Sequence, residues 1–160
     1  MEITLEQATS IKKGDDGRGK LYFYGDIVSS YWGAWDDDDQ YPASVKKFLD
    51  NQDGPIDIYI NSAGGNVFAC AAIYNMLKRY PYEKVCYIDG LAASAASVIA
   101  LAGDRVVMPA NAIMMIHRAW ACCSGNALQL ENTANSLRSI DNGIIATYKL
   151  NSSKSEEELE

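Results

Sequence analysis

The sequence predicts one α/β domain, from two successive strand, glycine-turn and helix units followed by a long helical run. In the first unit Ile56, Ile58 and Ile60 alternate with Asp57, Tyr59 and Asn61. Gly64-Gly65 then breaks the pattern, and Val67 to Tyr80 is an alanine-rich helical stretch. In the second, Val85 to Ile88 reads as a strand and Asp89-Gly90 as a turn. Ala92 to Ala102 is small and apolar enough for a buried helix. With 160 residues and 48% apolar side chains the chain can close one core, so a single domain is expected over residues 21–160.

The other elements follow in order. Residues 1–20 are polar, carry Gly14, Gly17 and Gly19 close together, and read as a flexible arm. Leu21 to Tyr24 suits a strand closed by Gly25-Asp26. Pro42 fits the first turn of a helix with Val45, Phe48 and Leu49 on its apolar face, and Asp36 to Asp39 before it favour the helix dipole. Arg105 to Met108 and Ala112 to Ile116 are two short strands, with His117 at the end of the second. Asn126 to about Leu150 is a long helix with Leu128, Leu137, Ile140, Ile144, Ile145 and Tyr148 as apolar positions.

Composition excludes several classes of function. A net charge of -7 without clustered Lys and Arg argues against a nucleic-acid surface. Cys70, Cys86, Cys122 and Cys123 lack CxxC spacing, and a single histidine cannot complete a metal site with them. No metal or cofactor is therefore expected, and a reduced, cytoplasmic setting is the simpler reading. There is neither a secretory pattern after Met1 nor an apolar run of membrane-spanning length, so no membrane association is expected. Asp36 to Asp39 read as a solvated acidic stretch without the ligand spacing of a calcium loop. Tyr31, Trp32 and Trp35 form either a partner-binding patch or, the commoner fate, packing over the first strand.

Chemistry concentrates at three places. Ser94 follows a strand and opens a helix, where a hydroxyl is accessible and unpaired backbone N–H groups can bind developing negative charge. A serine there also serves as an ordinary N-cap. His117, the only imidazole, can act as its general base or be a satisfied structural histidine. Gly64-Gly65 supplies permissive backbone whose amides can complete an oxyanion hole with the amide of Ala95. Asp141, inside the long helix, reads as part of a solvated helix face.

The ordered segments Ile60-Asn61-Ser62-Ala63-Gly64-Gly65, Gly90-Leu91-Ala92-Ala93-Ser94 and Met114-Met115-Ile116-His117, with Tyr24-Gly25-Asp26-Ile27 before them, resemble the Clp peptidase family. The resemblance runs from about Leu21 to Glu160. It implies a crotonase-like spiral of ββα units with a long C-terminal handle helix, subunits assembled into homo-oligomeric rings, and peptide-bond hydrolysis in a chamber. It implies Ser94 as nucleophile, His117 as general base, and the amides of Gly65 and Ala95 as the oxyanion hole. Ala63 stands where the family usually has proline. The family's third member, an aspartate, follows the long helix and is expected beyond Glu160, so the chain as it stands is expected to be weakly active or inactive.

Blocks around Phe48-Leu49-Asp50, Val67 to Lys78 and Asp89 to Ser97 look closer to the phage and prophage head maturation proteases, which implies a scaffold or capsid precursor as substrate. The alternatives are a housekeeping Clp proteolytic subunit fed by a ring-shaped AAA+ ATPase, a catalytically silent ring-forming subunit, and a crotonase-type acyl-CoA enzyme. A serine–lysine dyad using Lys149 or Lys154 has no recognised block to support it.

Overall fold

In this computed structural model the described residues are 17–159, so most of the expected arm, residues 1–16, lies outside them. Two compact units divide the chain, one ending at Ile116 and one beginning at His117.

The first unit contains β1 (Gly19–Phe23), α1 (Pro42–Asp50), β2 (Ile56–Ser62), α2 (Val67–Arg79), β3 (Lys84–Ala93), α3 (Ala95–Ala100), β4 (Arg105–Val107) and β5 (Ile113–Met115). All strand pairs are parallel, in the order β1-β2-β3-β4, with β5 also paired to β3. One edge of β3 carries both short strands end to end: β4 along Val85 to Tyr87, β5 along Leu91 to Ala93.

The alternation of β2 sorts its two faces. Ile56, Ile58 and Ile60 are fully buried with Phe23 and Ile88 of the sheet and with Val45, Phe48, Ile73, Leu77 and Ile99 of α1 to α3. Truncating one of the large aliphatic side chains to alanine costs about 2–5 kcal/mol in such a setting. On the other face Tyr22, Tyr59 and Tyr87 share a register and stack, with ring centroids 4.9 and 5.2 Å apart. Cross-strand aromatic pairs of this kind add fractions of a kcal/mol each.

Several expectations need correction. The strand expected from Leu21 begins at Gly19, whose N–H donates to Pro55 O at 3.0 Å. Arg18 just ahead of it is anchored rather than loose, with Nε 2.7 Å from Asp57 Oδ1 and a terminal nitrogen 2.8 Å from Glu83 Oε2. Asp57 is buried on the outer face of β2 because that guanidinium covers it.

The acidic run is not in the first turn of α1, which Tyr41 caps and Pro42 opens. Asp39 instead organises the loop, accepting N–H bonds from Asp26 at 2.7 Å, Trp35 at 2.9 Å and Asp36 at 3.3 Å. Trp32 and Trp35 do not pack over β1: they are 89% and 91% exposed, because their short segment lies outside the sheet and its helices.

Asp89-Gly90 is not a turn. β3 runs through it as one ten-residue strand, absorbing the extra residues as an irregularity between Ile60↔Ile88 and Ser62↔Ala92. The Asn61 side chain fills the gap in the ladder by accepting the Leu91 N–H at 3.2 Å. Because Ala92 and Ala93 pair with Met114 and Met115, the helix expected from Ala92 to Ala102 is only α3.

The second unit consists of an irregular segment from His117, the long helix α4 (Ala127–Lys149) and α5 (Glu156–Leu159). Asn126 and Gln129 close α4 reciprocally: Gln129 N–H donates to Asn126 Oδ1 at 3.0 Å and Asn126 N–H to Gln129 Oε1 at 2.9 Å. Ile145 and Tyr148 are its buried residues, whereas Leu128 and Leu130 are exposed.

Candidate active site

Ser94 occupies the one-residue junction between β3 and α3, at φ 52° and ψ −125°. Among the described residues it is the only non-glycine with positive φ. An L side chain avoids this region because its Cβ crowds the neighbouring carbonyl, a cost of order 1–3 kcal/mol. The junction is held on both sides. Ser94 N–H donates to Met115 O of β5 at 2.8 Å, and Ser94 O accepts from Ser97 N–H at 3.1 Å and from the Ser97 hydroxyl.

The Gly64-Gly65 turn lies against this junction. A Cβ placed on Gly64 would meet Ala93 O at 2.7 Å, Ala95 N at 2.8 Å and Ser94 Cβ at 2.8 Å, so only glycine allows the approach. Gly65, at φ 142°, is pressed as closely onto Ile27, whose carbonyl a Cβ would meet at 2.2 Å. The buried Ser62 hydroxyl fastens the turn, donating to Gly25 O at 2.7 Å and accepting Gly64 N–H at 3.1 Å. Ile27 N–H donates to Gly64 O at 2.8 Å, and Asn66 N–H donates to Ile27 O at 2.6 Å. Among the described residues the amides of Gly65 and Ala95 find no acceptor.

Cys70 is buried behind the junction, its thiol donating to Ala95 O at 3.1 Å. Burial pushes that thiol up to about 12, which keeps it protonated and poorly nucleophilic near neutral pH.

The first unit thus assembles Ser94, Ala95 and the glycine turn. His117 belongs to the second unit and is exposed, in a segment without regular secondary structure. Asp141 is not on a solvated helix face: it is half-buried, and its Oδ1 accepts the Ala119 N–H at 2.7 Å. The sequence held a signal for this. Leu137, Asp141, Ile145 and Tyr148 recur at helical spacing, so the aspartate sits within an apolar stripe. Ser62 and Asn61 gave no such signal, because their roles depend on a turn and a strand irregularity that periodicity does not reveal.

No group of three His, Cys, Asp or Glu side chains suited to a metal occurs among the described residues. Nor is any helix among them long and apolar enough to cross a membrane.

A parallel sheet whose strand end delivers a strained serine into a helix, with two unengaged amides beside it, defines a class of α/β proteins built around a seryl turn. Comparison with known proteins makes the class specific. Residues 45–160 match the family described as Clp protease, and the chain belongs to that family.

An ATP-dependent Clp protease proteolytic subunit from Deinococcus radiodurans is 32% identical over 114 residues, covering 68% of this chain and 54% of that protein. The protein of the same description from Porphyromonas gingivalis is 31% identical over 131 residues, covering 76% and 59%. The chain thus spans about half the length of the curated relatives it matches. Among solved structures, a ClpP1 mutant from Listeria monocytogenes superposes with a TM-score of 0.68 at 22% identity, over 88% of this chain and 75% of the other, a likeness of fold.

Proposed function

We propose that the chain is a serine-type endopeptidase subunit in which Ser94 attacks the scissile carbonyl and His117 takes and then returns the proton. The amides of Gly65 and Ala95 hold the oxyanion. The observation that carries this reading is the strained backbone of Ser94, maintained beside two N–H groups without acceptors. Strain of this kind persists only where surrounding structure enforces it, and such residues cluster at reactive sites.

Each group has a defined task. At neutral pH a seryl hydroxyl is a weak nucleophile until a base removes its proton, the role assigned to His117. As the acyl carbon becomes tetrahedral, negative charge collects on its oxygen. Each preorganised amide donor at such a position is worth roughly 2.7–4 kcal/mol. The imidazolium then protonates the leaving amine, and water, activated by the same imidazole, releases the acyl group from Ser94.

The substrate in this reading is a protein or peptide, cut by homo-oligomeric rings in the cytoplasm of a bacterial cell or within a phage prohead. The sequence blocks noted above favour a head maturation protease acting on scaffold or capsid precursors. The names of the relatives favour a second reading, a housekeeping Clp proteolytic subunit working with an ATPase.

The test is covalent labelling with a serine-directed fluorophosphonate, the adduct located by mass spectrometry. Wild type, Ser94→Ala and His117→Ala are compared. An adduct on Ser94 that weakens in His117→Ala is expected. No adduct on the wild type would replace the peptidase reading with that of a silent ring-forming subunit, and thioester hydrolysis surviving Ser94→Ala would point to acyl-CoA chemistry. Cleavage of unfolded protein only with an added AAA+ ATPase would select the housekeeping branch over the capsid branch.

A further inference from the structure

We infer that Asp141 is a positioning residue for His117, acting through the backbone of Ala119. The inference rests on the reading of His117 as general base. Its structural part stands on the second unit alone.

From Ile116 to Asn126 the chain has no regular secondary structure, and His117 and Arg118 are exposed. An imidazole on such a segment has no helix or strand to fix it, yet a general base must be held within about half an ångström of its working position. A misplacement of about 1 Å can cost roughly 10²-fold in rate. Asp141 supplies one constraint on the backbone of that segment. It lies within α4, a 23-residue helix, and its carboxylate Oδ1 accepts the Ala119 N–H at 2.7 Å. Ala119 is two residues past His117 and half-buried, where its two neighbours on that side are exposed.

The chemistry of the bond suits the task. An ionised acceptor makes a shorter bond, roughly twice as strong as a neutral pair. α4 has two carboxylates, Glu131 and Asp141. Glu131 is exposed, whereas Asp141 falls in the stripe of Leu137, Ile145 and Tyr148 and is half-buried. A charged side chain in an otherwise apolar stripe is retained at a cost in solvation unless its bond does something an apolar residue would not. Here the bond ties an irregular segment to a rigid element, and the tied segment carries the only imidazole of the chain.

The experiment compares the full chain with Asp141→Ala, Asp141→Ser and Asp141→Asn. Alanine and serine lose the reach to Ala119, and alanine, the best helix former, leaves α4 intact. Asparagine keeps an acceptor oxygen at the same length without the charge. Amide hydrogen exchange over residues 117–125 and the resonances of the single histidine report the segment directly. The labelling rate at Ser94, and kcat and KM for a peptide, report its consequence.

Both shortened variants are expected to exchange at Ala119 about tenfold faster or more, the equivalent of losing one hydrogen bond to a charged group. They should shift and broaden the His117 signals and lower kcat about tenfold to a hundredfold, with KM within about twofold. Asp141→Asn should restore exchange protection and most of kcat. Unchanged exchange and histidine signals in both shortened variants would overturn the inference. So would an asparagine variant as impaired in kcat as alanine despite restored protection, because the charge itself would then be acting on the imidazole. If the wild type forms no Ser94 adduct, the peptidase reading falls, and the exchange and histidine measurements still decide whether Asp141 holds the segment.

Discussion

The strain at Ser94 can be measured by comparing two substitutions that both remove the hydroxyl. Ser94→Ala keeps a Cβ and therefore keeps the penalty of φ 52°, ψ −125°, whereas Ser94→Gly abolishes it. The hydroxyl contacts of the serine are lost equally in both, so their difference reports the backbone and the Cβ alone. Relief of strain contributes about 1–3 kcal/mol in favour of glycine. The larger conformational freedom of glycine in the unfolded chain offsets about 0.5–1 kcal/mol. Loss of a half-buried methyl group offsets a further ~0.4 kcal/mol. The balance favours glycine by about 1 kcal/mol, or roughly 2–4 °C in Tm for a chain near this size. Thermal unfolding followed by circular dichroism measures the difference, and urea midpoints at equal m value check it. If Ser94→Gly melts below Ser94→Ala, the junction is not strained and the observation behind the proposed function loses its force. A higher melting temperature for both variants than for wild type would add that the serine itself is held at a cost, the pattern expected when a reactive site is maintained against stability.

Gly65→Ala should be far more damaging than a surface change. Its new Cβ would meet Ile27 O at 2.2 Å with φ at 142°, so a loss of about 3 kcal/mol or more in chemical denaturation is expected, and wild-type stability would contradict the close approach. The four thiols should separate in a timed reaction with a chromogenic disulfide. Cys122 and Cys123 are exposed and should react at once, while burial pushes Cys70 and Cys86 up to about 12 and should delay them until unfolding. Four fast thiols would show that the core is open. Acid should weaken the loop that Asp39 organises. Burial acts to raise its pKa, but the N–H groups of Asp26, Trp35 and Asp36 outweigh it and hold the carboxyl below its ordinary value. With the folded pKa below the unfolded value of about 3.9, this stability is present above that pH and disappears as pH falls through the lower folded value. Urea midpoints of wild type and Asp39→Asn should therefore differ at pH 7 and draw together as the pH falls below that unfolded value, and a gap that widens in acid would refute the assignment.

What could be read from the sequence divides along physical lines. Period-two alternation at Ile56, Ile58 and Ile60 and the helical runs of α2 and α4 were legible because each depends on residues close in sequence. The placing of Ser94 at a strand-to-helix junction beside a glycine turn was legible too. Its conformation was not, because a positive φ on serine is imposed by the pairing of Ala93 with Met115 and by the packing of Gly64, contacts between distant parts of the chain. The same limit explains Asp89-Gly90. That dipeptide favours a turn locally, and β3 continues through it because Asn61, some thirty residues away, supplies the acceptor the irregular ladder needs.

The exposed aromatics and Asp141 erred in opposite directions, for one reason. Of the two readings open for Trp32 and Trp35, a partner patch or packing over the first strand, hydrophobicity favoured packing, and charge placed Asp141 in solvent, whereas exposure is decided by whether a segment has a partner to pack against. The tryptophans lie in a loop outside the layered core, and the aspartate lies in a helix stripe with the Ala119 amide in reach. A polar residue at a core period is therefore worth more attention in a sequence than an apolar residue in a loop. The first must have found a bond, because burying a carboxylate unbonded is too costly to keep, while the second can stay in water at little cost. On that reasoning the most informative letter of α4 is its one aspartate among apolar neighbours, and the bond it makes leads straight to the segment that begins with His117.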